Sequence, residues 1–194
     1  MSNINIVQLA ANIGKSSTDA VWVLIEKSDS SALFVEPNLE CFKLLKEYYS
    51  TNLNHAFEQA AITPAEVPEG VTLYHPVPEA NLSVFGSLST THRPENVVST
   101  IVPALTVTQL FEKHNLLNKD FDLLQIDIEG MEAPVICSID FNSICPNKIR
   151  FEKIHLSRSD FLKINSHLNK NGYYQVDDFI WEIYNEHLIK NNKT

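Results

Sequence analysis

An α/β fold, a mostly parallel sheet with helices on both faces, is predicted by three features of this sequence. First, the apolar, branched run Leu123-Leu124-Gln125-Ile126 is followed at once by Asp127-Ile128-Glu129-Gly130-Met131-Glu132. Such a run suits a central strand of a parallel sheet, buried on both faces. Acids at its carboxyl end point into the crevice where open α/β sheets bind ligands. Gly130 permits a sharp turn, and Glu132 suits the first turn of a following helix. Any one of these acids is equally well explained as a helix cap; three within six residues make a better case for a site. Second, the chain opens as strand, small-residue turn and helix. Third, strand-like and helix-like runs alternate along the rest of the sequence, with no internal repeat and no linker.

The elements follow in order. Ile4-Asn5-Ile6-Val7-Gln8-Leu9 reads as a buried first strand running into the turn Ala10-Ala11-Asn12-Ile13-Gly14. Ser16 or Ser17 can cap the next helix, Asp19 suits its positive first turn, and residues 20–26 continue it. This arrangement brings backbone N–H groups against nucleotide-like ligands, although many α/β proteins turn this way without binding anything. The second strand, Ala32-Leu33-Phe34-Val35, ends at Glu36, and Pro37 fits a first helical position. Glu36 lies about 20 residues beyond the first turn, where dinucleotide sites place the acid that binds ribose hydroxyls. A solvated acid at a strand end is common, but this position beside Pro37 favours ribose binding.

Residues 56–62 read as a third strand. From 64 to 103 the prolines concentrate, which disfavours helix. Residues 71–74 and 97–102 look like short strands, and the polar loop 85–93 between them is placed to serve as a lid or as a plain surface excursion. Thr106 or Thr108 opens a helix through His114, after which the central strand follows. Residues 148–155 read as a fifth strand with Glu152 and His155 toward its carboxyl end. Residues 161–169 form a helix that Gly172 ends. Residues 173–176 and 180–184, joined by Asp177-Asp178, close the sheet as a pair of strands, and the polar tail 190–194 frays.

At 194 residues the chain is sized for one domain, of a kind that buries roughly 70% of its unfolded surface. It carries no membrane-spanning apolar tract and no signal-peptide pattern. The cysteines Cys41, Cys137 and Cys145 are odd in number and widely spaced, which fits free thiols in a reducing, cytoplasmic setting. A formal charge of −9 argues against a nucleic-acid backbone as the main ligand.

Taken together, VQLAANIG, LFVEPN, VPALTVTQL, DLLQIDIEGMEAPVI and FEKIHLS resemble the FkbM family of S-adenosylmethionine-dependent methyltransferases, from about Val7 to the closing strands. The resemblance implies a Rossmann-like methyltransferase domain, with a seven-stranded sheet and one reversed strand near its edge. It also implies methyl transfer, commonly to oxygen in sugars and other small natural products. Carried over residue by residue, it sets Gln8, Ala10, Ala11, Asn12 and Gly14 along the cofactor, with Gly14 toward the methionine end. Glu36 would bind both ribose hydroxyls, and Asp127 would sit near the sulfonium or the acceptor. Glu129, Glu132, Glu152 and His155 match further family positions. The family usually has an acid and a glycine where this chain has Gln8 and Ala10, which implies weaker cofactor binding.

Methyl transfer to a hydroxyl needs alignment and removal of a proton. His155 is the first choice of base, because an unperturbed imidazole titrates near 6.5; Asp127 and Glu129 stand with it as candidate catalytic residues. Lone histidines at strand ends are more often structural. Asp127 with Glu152 can alternatively hold a divalent cation that acidifies the hydroxyl. The expected partner is a small-molecule acceptor, with neither nucleic acid nor membrane. Two other classes stay open: a cofactor-binding or regulatory module of the same fold, and a nicotinamide-dependent oxidoreductase, against which the missing glycine triplet argues.

Overall fold

The computed structural model describes residues 4–14, 20–27, 30–76, 97–177 and 180–183. At the centre of its main sheet is β8 (Asp120–Ile126), flanked by β1 (Ile6–Leu9) and β9 (Cys145–Phe151). β2 (Ala32–Val35) and β3 (Ala56–Glu58) extend the sheet past β1, while β11 (Ile180–Ile183) and β10 (Tyr173–Gln175) extend it past β9. β11 runs antiparallel to both its neighbours, and the other pairings are parallel. This is the predicted α/β architecture, a mostly parallel seven-stranded sheet with one reversed strand near an edge.

The sequence builds it by covering both faces. Every residue of β1 and β2 is buried, as β-strands between two helical layers must be. Val7, Leu9, Leu124, Ile126, Ile149 and Phe151 pack under α3 (Val107–Lys113), α4 (Glu132–Ser138) and α5 (Arg158–Lys170). The alternate residues Ile6, Ala32, Phe34 and Leu123 pack with α1 (Ala20–Lys27) and α2 (Leu39–Tyr48). Period-two alternation divides each strand between the two cores.

Several boundaries differ from the sequence expectations. The first strand begins at Ile6, not Ile4. Pro37 stands outside α2, because Asn38 is the N-cap and its side chain accepts the N–H groups of Glu40 and Cys41. The single strand expected over 56–62 is two. The chain leaves the main sheet after β3, and β4 (Ala61–Ile62) pairs in parallel with β7 (Ala104–Leu105). The expected strands 71–74 and 97–102 are β5 (Val71–Pro76) and β6 (Val97–Val102), an antiparallel pair. Thr106, not Thr108, caps α3, in a reciprocal capping box with Gln109. α5 begins three residues early because Ser157 caps it at Asp160 N–H. Gly172, at φ 86°, follows its last turn as predicted.

The three cysteines are free thiols and Cys41 is buried. Among the described residues, no helix is long and apolar enough to cross a membrane. The expected cap at Ser16 or Ser17, the loop 85–93, residues Asp178 and Tyr184 and the tail 190–194 lie outside the described residues.

Candidate functional site

Strand register brings the chemistry to one edge. Leu9 lies across from Val35 and Ile126, and Ile126 across from Phe151. The next residues, Ala10, Glu36, Asp127 and Glu152, therefore leave the sheet side by side at its carboxyl edge. β1 is also where the strand order turns back, with β2 on one side and β8 on the other. Crevices at such switch points are where open α/β sheets bind ligands. Glu36 and Glu152 stand three strands apart, about 14 Å, so the crevice over β1 and β8 lies between them.

On the β2 side, Glu36 is buried and held by the chain itself. One carboxylate oxygen accepts Asn12 N–H and the other accepts Asn38 N–H, both at 2.8 Å. Burial pushes its pKa up to about 7, against the lowering effect of these two bonds. The facing turn is built differently from the sequence expectation. The N–H groups of Ala11, Asn12, Ile13 and Gly14 donate to Val35 O, Glu36 Oε2, Asn12 Oδ1 and Ala11 O. They are engaged within the protein, so any ligand meets the shape of this turn and not a row of free donors. A Cβ on Gly14 would run into Leu45 Cδ1 and Tyr49 Cε2, and Tyr49 Oη donates to Gly14 O at 3.0 Å. Packing against α2 thus accounts for this glycine. Gln8 lies within β1 on the α1–α2 face and is 4% exposed.

Ala10 has φ 58° and Asn12 φ 52°. The left-handed region is tolerable for asparagine but costs an alanine roughly 1–2 kcal/mol. Ala10→Gly relieves that strain while enlarging the freedom of the unfolded chain. It should therefore stabilise the fold by about 0.5–1 kcal/mol, read as a raised denaturant midpoint at unchanged slope.

On the β8 side, the acids form one connected loop. Glu132, the first residue of α4 and 1% exposed, turns back so that Oε1 accepts Ile128 N–H and Oε2 accepts Gly130 N–H, at 2.9 and 3.0 Å. These two bonds bracket Glu129, which sits at φ 53° next to Gly130 at φ 97°. Glu132 thus ties the loop before α4 to the start of that helix, with Glu129 held between its two bonds. Glu129 Oε2 lies 3.1 Å from His155 Nε2. Burial raises the Glu129 pKa to about 8, with the negative charges of Asp127, Glu152 and Glu132 adding to the effect.

His155 was expected on the fifth strand, but β9 ends at Phe151. The histidine lies in the turn that follows, and Glu152 is the first residue past the strand. Ligand atoms of Glu129, Glu152 and His155 lie within 4.8 Å of one another, as do those of Asp127, Glu132 and Glu152. Glu152 Oε2 is buried without a hydrogen-bond partner among the described residues. The structure therefore gathers Asp127, Glu129, Glu152 and His155, while Glu36 and the first turn stand across the crevice.

The match to known families follows the same stretch. The model of the methyltransferase FkbM domain covers residues 8–174, from β1 to the first closing strand. The chain belongs to the FkbM methyltransferase family. The matched stretch holds the strands β2 to β9 and the acidic loop after β8. Among solved structures, it is similar to a methyltransferase FkbM from Methylobacillus flagellatus KT, at 15% identity and a TM-score of 0.49. That likeness covers 93% of this chain and 43% of the other, so the present chain spans less than half its neighbour's length. No curated protein matches the sequence.

Two groupings were absent from the sequence reading. Lys113 Nζ and His114 Nε2, at the end of α3, meet the carboxylate of Glu58 at 2.9 and 3.1 Å. A cavity of about 420 Å³ has Tyr74 and Met131 on its walls. Each joins residues more than 50 positions apart, for which no local pattern in one sequence gives a signal.

Proposed function

We propose that this chain is an S-adenosylmethionine-dependent methyltransferase acting on a hydroxyl of a small molecule, a sugar or another natural product. The observation that carries the reading is Glu36, in a domain of the FkbM family: a buried carboxylate at a strand end, on the switch-point crevice. Each oxygen accepts one backbone N–H and retains a second lone pair, so the pair fits two adjacent ribose hydroxyls. The cofactor, when bound, supplies an activated methyl group on a sulfonium with a good leaving group.

The chain's own residues supply the rest. Glu36 fixes the ribose. Asp127, at the end of the central strand, places negative charge beside the crevice where the sulfonium charge belongs. His155 takes the acceptor's proton as the methyl moves, and Glu129 sets its tautomer through the 3.1 Å contact at Nε2. When Glu129 is ionised it accepts Nε2–H, which leaves Nδ1 as the basic nitrogen.

A divalent cation is the second reading, favoured by the spacing of Glu129, Glu152 and His155 and by the buried oxygen of Glu152. The two carboxylates are hard oxygen ligands that suit magnesium or manganese, which would acidify the hydroxyl directly. It ranks below the histidine because Glu132 in the companion set already holds two backbone N–H groups.

Calorimetric titration with S-adenosylhomocysteine and with NAD tests the main reading. Binding of the homocysteine nucleoside alone is expected. Preference for NAD would make the chain an oxidoreductase, and binding without methyl transfer to any hydroxyl compound would make it a regulatory module.

A further inference from the structure

The cavity at the foot of the β5–β6 pair lies outside everything assigned so far. Its walls include Pro64, Val67, Val71, Thr72, Tyr74 and Met131, and none of the described residues that line it is charged. That lining is unusual for an open cleft on a chain of net charge −9. A volume of about 420 Å³ falls in the range of small-molecule pockets, roughly 300–1,000 Å³. The β5–β6 pair is tied down beneath it, because Leu73 and Val102 pack with Ala61 of β4 in their own small core.

Met131 joins the cleft to the site. It is the N-cap of α4, between Gly130 and Glu132, and its N–H donates to Ile128 O at 3.4 Å. Glu129 is two residues away, within about 7.6 Å along the chain at most, and carries the carboxylate that meets His155. One wall of the cleft is therefore the same loop that holds the candidate base.

We propose that this cleft is the acceptor subsite, and that the acceptor is an amphipathic alcohol whose apolar or aromatic face packs between Tyr74 and Met131 while its hydroxyl points toward His155. This rests on the methyltransferase reading and narrows its substrate class. Pocket walls of this kind bind through an aromatic or aliphatic body, and a bare hexose, polar around its whole rim, gains little from them. Tyr74 offers a ring face for stacking, and Met131 a flexible side chain that adapts to the body's shape.

The probes are 4-nitrophenyl β-glucoside and glucose, titrated by calorimetry onto the full chain, with S-adenosylhomocysteine affinity measured in parallel. The aryl glycoside should bind at least 10-fold more tightly than glucose. Tyr74→Ala and Met131→Ala should each weaken it by about 10-fold, with S-adenosylhomocysteine affinity unchanged. Thr72→Trp is the second kind of variant, since Thr72 is exposed and a larger side chain there fills the cleft without burdening the core. It should weaken the glycoside as much. Equal binding of the two sugars, no glycoside binding, or a glycoside affinity indifferent to Thr72→Trp would overturn the proposal. Loss of the methyltransferase reading shows separately, as a failure to bind S-adenosylhomocysteine while the glycoside still binds.

Discussion

Glu36→Ala should bind S-adenosylhomocysteine about 10- to 100-fold more weakly than the unaltered chain, the equivalent of roughly 1.5–3 kcal/mol for hydrogen bonds to a charged group. Calorimetry at pH 8 gives the direct comparison, and an unchanged affinity would remove Glu36 from the ribose. The pH dependence is the sharper part of the result. Burial holds this carboxyl's pKa at about 7, and ribose hydroxyls donate best to the ionised form. Affinity in the unaltered chain should therefore fall about 10-fold between pH 8 and pH 6, one decade per unit below the pKa. Glu36→Gln should flatten that dependence.

Stability of the ligand-free protein runs the other way. The folded pKa of Glu36 is above its ordinary value of 4.5, so the folded state holds the proton more tightly than the unfolded chain. Its contribution is fully present below about pH 4.5 and is lost as pH rises through about 7. Opposite slopes for binding and for stability in one residue are a signature that a merely structural acid would not give.

How much of this was legible in the sequence depends on range. β2 is read to the residue, and the burial of β1 and β8 is evident, because a strand covered on both faces writes itself as a continuous apolar run. The C-terminal end of α5 follows from Gly172, whose effect is local, while the sequence leaves the start of α3 open between Thr106 and Thr108, which the capping box with Gln109 decides. The split of the third strand was not legible. Ala61 and Ile62 are as apolar as any strand in the main sheet, and only the pairing with Ala104 and Leu105, more than 40 residues on, draws them away. The site divides in the same way. Position after a strand singled out Glu36 and Asp127 as candidates, and both do follow strand ends at the carboxyl edge. That Glu132 brackets Glu129, that Glu129 meets His155, and that the first turn engages its own N–H groups are facts of side-chain direction, which spacing alone does not encode. Even the left-handed backbone of Ala10 was hidden, since alanine gives no hint of a positive φ.

Removal of His155, the proposed base, is expected to have the largest effect of all. His155→Ala should lower turnover by roughly 100-fold or more while leaving S-adenosylhomocysteine affinity nearly unchanged, because Glu36 lies across the crevice. With Glu129 protonated, its O–H donates to Nε2 and the imidazole carries its own hydrogen on Nδ1, leaving no basic nitrogen for the acceptor. Ionisation of Glu129 reverses that bond and moves the ring hydrogen to Nε2, so that Nδ1 is the basic nitrogen. The rate should therefore rise with pH through about 8, where burial and the acids around it hold Glu129, as a property of the Glu129–His155 pair. Glu129→Gln removes the titrating group and should abolish that limb. A limb that stays near 8 in Glu129→Gln would show that another group governs it. Activity abolished by a chelator and restored by magnesium or manganese would transfer the role to a cation held by Glu129, Glu152 and His155. Full activity of His155→Ala without added metal would leave the histidine a structural partner of Glu129.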